Sequence, residues 1–174
     1  MASSPLELRT VFLDRDGVIN RKAPEGHYVT CPNDLEILAG VPEAIARLTS
    51  KGITVAVVTN QQGVAKGLMS LGDVDRVNSI ISSAVEAKGG YIEDFLVCPH
   101  LEGTCNCRKP KTGLFMEARR RNPDICFATS VVIGDSISDM AAARKIGATG
   151  IRIGTDDAAE FPGLPQAVEA ILRG

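Results

Sequence analysis

The chain predicts an α/β fold, a three-layer Rossmann-like arrangement of one parallel sheet with helices on both faces. Three observations carry that reading. Short runs rich in Val, Ile and Leu recur along the sequence, each ends at a polar residue, and helical patterns separate them. Strands buried on both faces read as near-continuous apolar runs, and strand alternating with helix is the mark of βαβ units.

Taken in order, the first strand spans Thr10 to Leu13 and the second Ile53 to Val58. Phe95 to Val97, Val131 to Ile133 and Ile151 to Ile153 follow as third, fourth and fifth. The intervening helical patterns run from Val41 to Lys51, Leu71 to Lys88, Gly113 to Arg121 and Ser138 to Ile146, with a last one from Pro165 to Arg173. Pro42 stands in a first turn, where its missing N–H costs nothing, and Gly52, Gly89 and Gly147 stand where helix C-caps belong. Two segments, Arg21 to Asp34 and Pro99 to Lys111, are too polar and too rich in Pro, Gly or Cys for regular structure. Loops of such length in a compact domain usually carry function.

At 174 residues the chain has the size of one domain, and no change of composition divides it, so residues 1–174 are read as a single unit. Apolar residues at 44% and charged residues at 23% supply a core and exclude disorder. A net charge of −2, no Trp and two Tyr give neither a field for a phosphate backbone nor platforms for bases, which excludes nucleic acid. The opening MASSPLELRT lacks the basic patch and apolar run of a secretory signal, and no apolar run reaches membrane length. A cytoplasmic, soluble protein without membrane partners is expected, with a monomer as the default for its size.

The chemistry gathers at the strand ends. The first strand leads into Asp14, with Asp16 and Gly17 close behind; the second stops at Thr59 and Asn60; the fourth stops at Gly134 and Asp135, with Asp139 following. Parallel α/β sheets bind ligands outside the carboxyl ends of their strands. Clustered carboxylates repel unless a cation neutralises them, and hard oxygen donors suit Mg²⁺. Acids after strands can also be plain N-caps and turn formers; for Asp139, in a first helical turn, that reading stands beside the functional one.

DRDGVIN (Asp14 to Asn20), TNQQG (Thr59 to Gly63), RKPK (Arg108 to Lys111) and GDSISD (Gly134 to Asp139) resemble, in order and spacing, the four motifs of the haloacid dehalogenase superfamily. The resemblance implies a HAD-like phosphomonoesterase in which Asp14 is the nucleophile and forms an aspartyl-phosphate. Asp16 would protonate the leaving alcohol and then deprotonate water. Thr59 and Lys109 would hold the transferring oxygens. Catalytic Mg²⁺ would sit on Asp14, Asp135 and the backbone carbonyl of Asp16. Asn60, Gln61, Gln62, Arg108, His27 and Tyr28 would face the substrate.

Cys98, His100, Cys105 and Cys107 form a C-x-H-x₄-C-x-C array with the donors of a closed tetrahedral Zn²⁺ site. Such a zinc is structural, stapling the loop that delivers Arg108 and Lys109. Cys31 and Cys126 have no such partners. A zinc-bearing loop ahead of RKP resembles the heptose bisphosphate and histidinol phosphatase branch, which has no separate cap. Only 44 residues separate Asp14 from Thr59, and 49 separate Thr59 from Lys109, which leaves no room for a large one.

Within that branch TNQQGVAKG is similar to the heptose bisphosphatase pattern TNQSGIARG, and RKPKTGLF to RKPxPGM, with Thr112 in place of the usual proline. Arg108, Lys66, Arg21 and Lys22 are candidates to meet a second phosphate. The resemblance therefore implies D-glycero-D-manno-heptose 1,7-bisphosphate, cleaved at position 7 on the route to activated heptose for lipopolysaccharide core. Histidinol phosphate is the alternative, its amine met by Glu25, Asp34 or Glu102. A phosphoryl-receiving signalling domain would also cluster acids, Thr and Lys, but needs neither the Asp14 and Asp16 pair nor the zinc array. A zinc recognition module would want basic and aromatic surface that this array lacks.

Overall fold

The computed structural model describes residues 7–173; the first six residues of the segment read above for a targeting signal lie outside them. Five parallel strands, β1 (Thr10–Leu13), β2 (Thr54–Asn60), β3 (Asp94–Cys98), β4 (Ser130–Gly134) and β5 (Thr149–Arg152), form one sheet in the order β3-β2-β1-β4-β5. Between and after them run α1 (Val41–Ser50), α2 (Leu71–Glu86), α3 (Gly113–Arg121), α4 (Ile137–Ile146) and α5 (Leu164–Arg173). The expected elements all form. β1 and α3 have the expected bounds, and the others shift by a few residues at their ends. Gly147 caps α4 as expected, but the caps of α1 and α2 are Lys51 and Ala87, with Gly52 and Gly89 just beyond.

β1 explains the layering. Its four residues are all buried; Val11 and Leu13 join the core under α1, α2 and α5, while Phe12 joins the core under α3 and α4. The two-residue period of a strand sends neighbours to opposite faces, and both faces here are covered. Phe12 meets Phe115 of α3 edge to face, with ring centroids 5.1 Å apart.

β1 is also where the strand order turns. β2 pairs on one side of it and β4 on the other, so the loops after the three strands diverge and leave a crevice above β1. Asp14 follows β1 directly into that crevice. Among the described residues the stretch from Asp14 to Thr59 holds α1 and the irregular loop, and the stretch from Thr59 to Lys109 holds α2, β3 and the cysteine loop, with no cap.

Candidate active site

The carboxylates of Asp14, Asp135 and Asp139 each bring an oxygen within 4.8 Å of the others. Lys109 enters this group almost fully buried, its ammonium 3.0 Å from Asp14 Oδ1 and 2.6 Å from Asp139 Oδ1, and it donates to the carbonyl of Val58 at 2.6 Å. Burial pushes the Asp14 carboxyl up to about 7; Lys109 opposes the rise, while Asp139 and Asp135 add to it. Burial would lower Lys109, but the charges of Asp14 and Asp139 outweigh it and hold the ammonium above its ordinary value.

Both readings of Asp139 are realised by one carboxylate. Oδ2 closes a capping box, accepting from the Ser136 N–H at 3.2 Å and its hydroxyl at 2.6 Å, while Oδ1 faces Lys109. Glycines make the approach possible. A Cβ on Gly134 would lie 2.3 Å from the Asp139 side chain, and one on Gly17, at φ +90, would lie 2.3 Å from Asp135 Oδ2.

The donor set fits a hard divalent cation. Asp135 Oδ1 is buried with no hydrogen-bond partner among the described residues, and three clustered acids have only Lys109 and Lys22 as counter-charges. Because Asp139 is committed to Ser136 and Lys109, Asp14 and Asp135 are the side chains left for the ion. The Asp16 side chain lies outside the cluster, which leaves its backbone carbonyl as the only donor it could add.

That side chain is held by three neighbours instead. Asn20 Nδ2 donates to Asp16 Oδ1 at 2.9 Å, Gln61 Nε2 to Oδ2 at 2.6 Å, and the Arg15 guanidinium lies 3.2 and 3.3 Å from the two oxygens. Gln61 is 1% exposed, so its side chain turns to Asp16 and the Thr59 hydroxyl, not to the cavity where a substrate would lie. Thr59, at the end of β2, is equally buried. Asn60 lines the cavity but also clamps the peptide of Lys109, accepting from its N–H at 3.0 Å and donating to its carbonyl at 3.1 Å. Gln62 donates to the Tyr28 hydroxyl at 3.1 Å.

A cavity of 330 Å³ opens over Asp14, Asp16 and Lys109, walled by Arg108, His27 and Tyr28. A cleft of 680 Å³ lies behind the loop of residues 22–29, but the only charge of the reaction site it touches is Lys22. The smaller space is the one that lies over Asp14, Asp16 and Lys109. Of the cations proposed for a second phosphate, Arg108 is the one left without an ion pair or side-chain hydrogen bond among the described residues, and it lines the cavity. Arg21 is paired in a bidentate way with Glu36, Lys22 reaches Asp135 Oδ2 at 2.9 Å, and Lys66 donates to Tyr28 at 3.0 Å.

Cys98, at the end of β3, His100, Cys105 and Cys107 converge within 4.8 Å. Cys98 Sγ stands 3.6 Å from Cys105 Sγ and 3.2 Å from Cys107 Sγ, and His100 Nδ1 lies 3.2 Å from Cys107 Sγ. These separations are too long for disulfides and match the edges of a tetrahedron whose corners lie about 2.3 Å from a central zinc. Burial and the neighbouring thiols push Cys107 up to about 12. Cys105 falls to about 6, because the Arg108 N–H and the other thiols outweigh burial. Gly113 packs so closely on this loop that a Cβ would come within 2.6 Å of the Asn106 carbonyl.

Motif reading missed Arg15, Asn20 and Asn78 around Asp16. Asn78 left a signal: it occupies a core-facing position of α2 among Val74, Val77, Ile81 and Val85, where a polar residue needs a partner.

Comparison with known proteins follows the same lines. A family model described as HAD-hydrolase-like matches residues 106–168. The D-glycero-alpha-D-manno-heptose-1,7-bisphosphate 7-phosphatase of Mycobacterium bovis is 42% identical over 139 residues, covering 79% of this chain and 73% of the relative. The D-glycero-beta-D-manno-heptose-1,7-bisphosphate 7-phosphatase of Rhodopseudomonas palustris is 36% identical over 165 residues, 90% of this chain and 89% of the relative. A crystal structure of D,D-heptose 1,7-bisphosphate phosphatase from B. bronchiseptica, complexed with magnesium and phosphate, superposes with a TM-score of 0.85 at 29% identity, covering 95% of this chain and 99% of that one.

Proposed function

The chain belongs to the haloacid dehalogenase superfamily and is one of its phosphatases, and from that premise we propose that it removes the 7-phosphate of D-glycero-D-manno-heptose 1,7-bisphosphate. One observation carries the substrate. The cavity that holds the Asp14 and Lys109 pair is also lined by Arg108, whose guanidinium has no ion pair among the described residues and suits the second phosphate of a bisphosphate. Of the acids that would meet the amine of histidinol phosphate, only Glu25 lines this cavity, and Asp34 is already bonded to Thr30.

The residues divide the work as follows. Asp14 attacks phosphorus while the bond to the sugar oxygen breaks, and Asp16 gives that oxygen a proton. Water then attacks phosphorus and gives a proton to Asp16 as the bond between phosphorus and Asp14 breaks, which frees Asp14 and inorganic phosphate. Lys109 holds the Asp14 carboxylate in place and sets a positive charge beside the transferring oxygens. Thr59 accepts from Gln61, which leaves its own hydroxyl hydrogen for a phosphoryl oxygen. Asp14, Asp135 and the Asp16 carbonyl would hold magnesium, which would supply positive charge to the transferring phosphate. Cys98, His100, Cys105 and Cys107 would hold a zinc that orders the loop carrying Arg108 and Lys109.

The reading includes a monomer acting in the cytoplasm, without nucleic acid or membrane as partner. No helix among the described residues is long and apolar enough to cross a membrane. Specificity constants for the heptose bisphosphate, its monophosphates and histidinol phosphate test the substrate. The bisphosphate should lead, and a constant for histidinol phosphate equal to or above it would overturn the choice.

A further inference from the structure

Arg15 is the bulkiest of the fully buried side chains and has no exposed surface, although it lies between the two acids at the end of β1. A guanidinium stays charged at any working pH, so burying it is costly unless its donors are met. They are met only in part. Nη1 donates to Asn78 Oδ1 of α2 at 3.2 Å, Nη2 faces both oxygens of Asp16, and Nε is buried without a partner. An apolar residue would pack here at less cost. A buried, incompletely satisfied cation calls for an explanation beyond stability.

We infer that Arg15, tethered by Asn78, is a positioning residue that aims the Asp16 carboxylate at the leaving oxygen, so that α2 takes part in the proton-transfer half of the reaction. The geometry is that of a strut. Asn78 lies on a helix packed against the sheet, and the fork of the guanidinium spans from it to the Asp16 carboxylate. Asn20 and Gln61 grip single oxygens of that carboxylate, whereas Arg15 faces both and fixes the plane. Asn78 touches neither Asp14 nor Lys109, so the strut serves proton transfer and not the attack on phosphorus.

The inference rests on the assignment of Asp16 as proton donor, and leaving groups separate the two. An alkyl phosphate such as the sugar substrate needs a proton on its departing oxygen, while p-nitrophenyl phosphate expels a stable phenolate without one. Positioned acid–base groups contribute about 100- to 10,000-fold, and misaiming one forfeits part of that. Asn78→Leu should slow single-turnover release of the alcohol from the alkyl phosphate roughly 10- to 100-fold, and move the pre-steady-state burst of p-nitrophenolate by less than about threefold, because the later hydrolysis, in which Asp16 also serves, is common to both. Asn78→Asp keeps an acceptor oxygen for Arg15 and should restore most of the alkyl phosphate turnover; it also carries the test if the leucine variant fails to fold. Equal losses on both substrates, or no loss on either, would overturn the strut. Asp16→Asn serves as the control. If it shows the leaving-group dependence and Asn78→Leu does not, the strut is wrong and the proton donor stands; if it shows none, the assignment of Asp16 falls and the strut falls with it.

Discussion

The carboxylate of Asp139 joins Lys109 to the start of α4, with one oxygen 2.6 Å from the ammonium and the other capping the helix through Ser136. The Lys109 charge, which is proposed to serve the phosphate, is thereby anchored to backbone. Replacing Asp139 by Asn removes the ion pair but leaves a side chain that can still accept at the cap. Leaving a buried charge short of a partner costs about 3 kcal/mol, and Lys109 keeps Asp14, so the loss should fall at or below that figure. Urea unfolding of Asp139→Asn checks the stability, and kcat should fall at least tenfold. Gly134→Ala should act on the same joint, because its Cβ would collide with Asp139; a loss of about 1–3 kcal/mol is expected from overpacking.

Asp14→Asn should abolish turnover, since the amide has nearly the shape of the carboxylate but cannot attack phosphorus. Robust multiple turnover by a metal-replete variant would refute the nucleophile. The fold should survive the change and gain from it when metal is absent.

The gain has a sign set by pH. The Asp14 carboxyl is raised from 3.8 to about 7 in the folded chain, so the native state binds its proton more tightly than the unfolded state does. In the metal-free protein stability therefore declines as pH rises through that window, by an amount on the order of 4 kcal/mol. Melting temperatures of the wild type should fall between pH 4 and pH 7 relative to Asp14→Asn, and Mg²⁺ should raise the wild type more at pH 7 than at pH 5. Identical pH profiles for the two proteins would contradict the burial of this charge.

The layers and the position of Asp14 were legible because both follow from runs and their ends: buried strands are short apolar stretches, and Asp14 begins where one stops. Edge strand β5 was displaced, since it starts at exposed Thr149 to pair with β4, and pairing, not hydrophobicity, sets its register. Side-chain direction in the loops was not legible. Gln61 and Gln62 are neighbours in one motif, yet one turns inward to Asp16 and the other to Tyr28, a choice made by what β2, β3 and the first loop bring near them. The partner of Arg15 comes from α2, and no local pattern specifies a contact across that span.

The cysteine cluster should retain about one zinc per chain through dialysis, whereas activity should depend on added Mg²⁺ and be lost and regained with EDTA and magnesium. Cys107→Ser should release the zinc, lower the melting temperature, and reduce kcat by displacing Lys109, which follows the cluster directly. Because thiolates bind metal and thiols do not, zinc should also leave as pH falls. Elemental analysis of reduced protein showing no zinc would refute the staple.

Arg108→Ala tests the reading of the substrate without touching the reacting atoms. The side chain lines the cavity and has no ion pair among the described residues, so a second phosphate would gain a charge-assisted bond there worth about 1.5–3 kcal/mol. Its removal should lower kcat/KM for the bisphosphate roughly 10- to 100-fold while leaving a heptose 7-phosphate nearly unaffected, so that the preference between them collapses. Asn60 grips the Lys109 peptide independently, which should keep the catalytic lysine in register in the variant. If both substrates lose activity equally, Arg108 serves the transferring phosphate instead, and the second phosphate must be met elsewhere in the cavity.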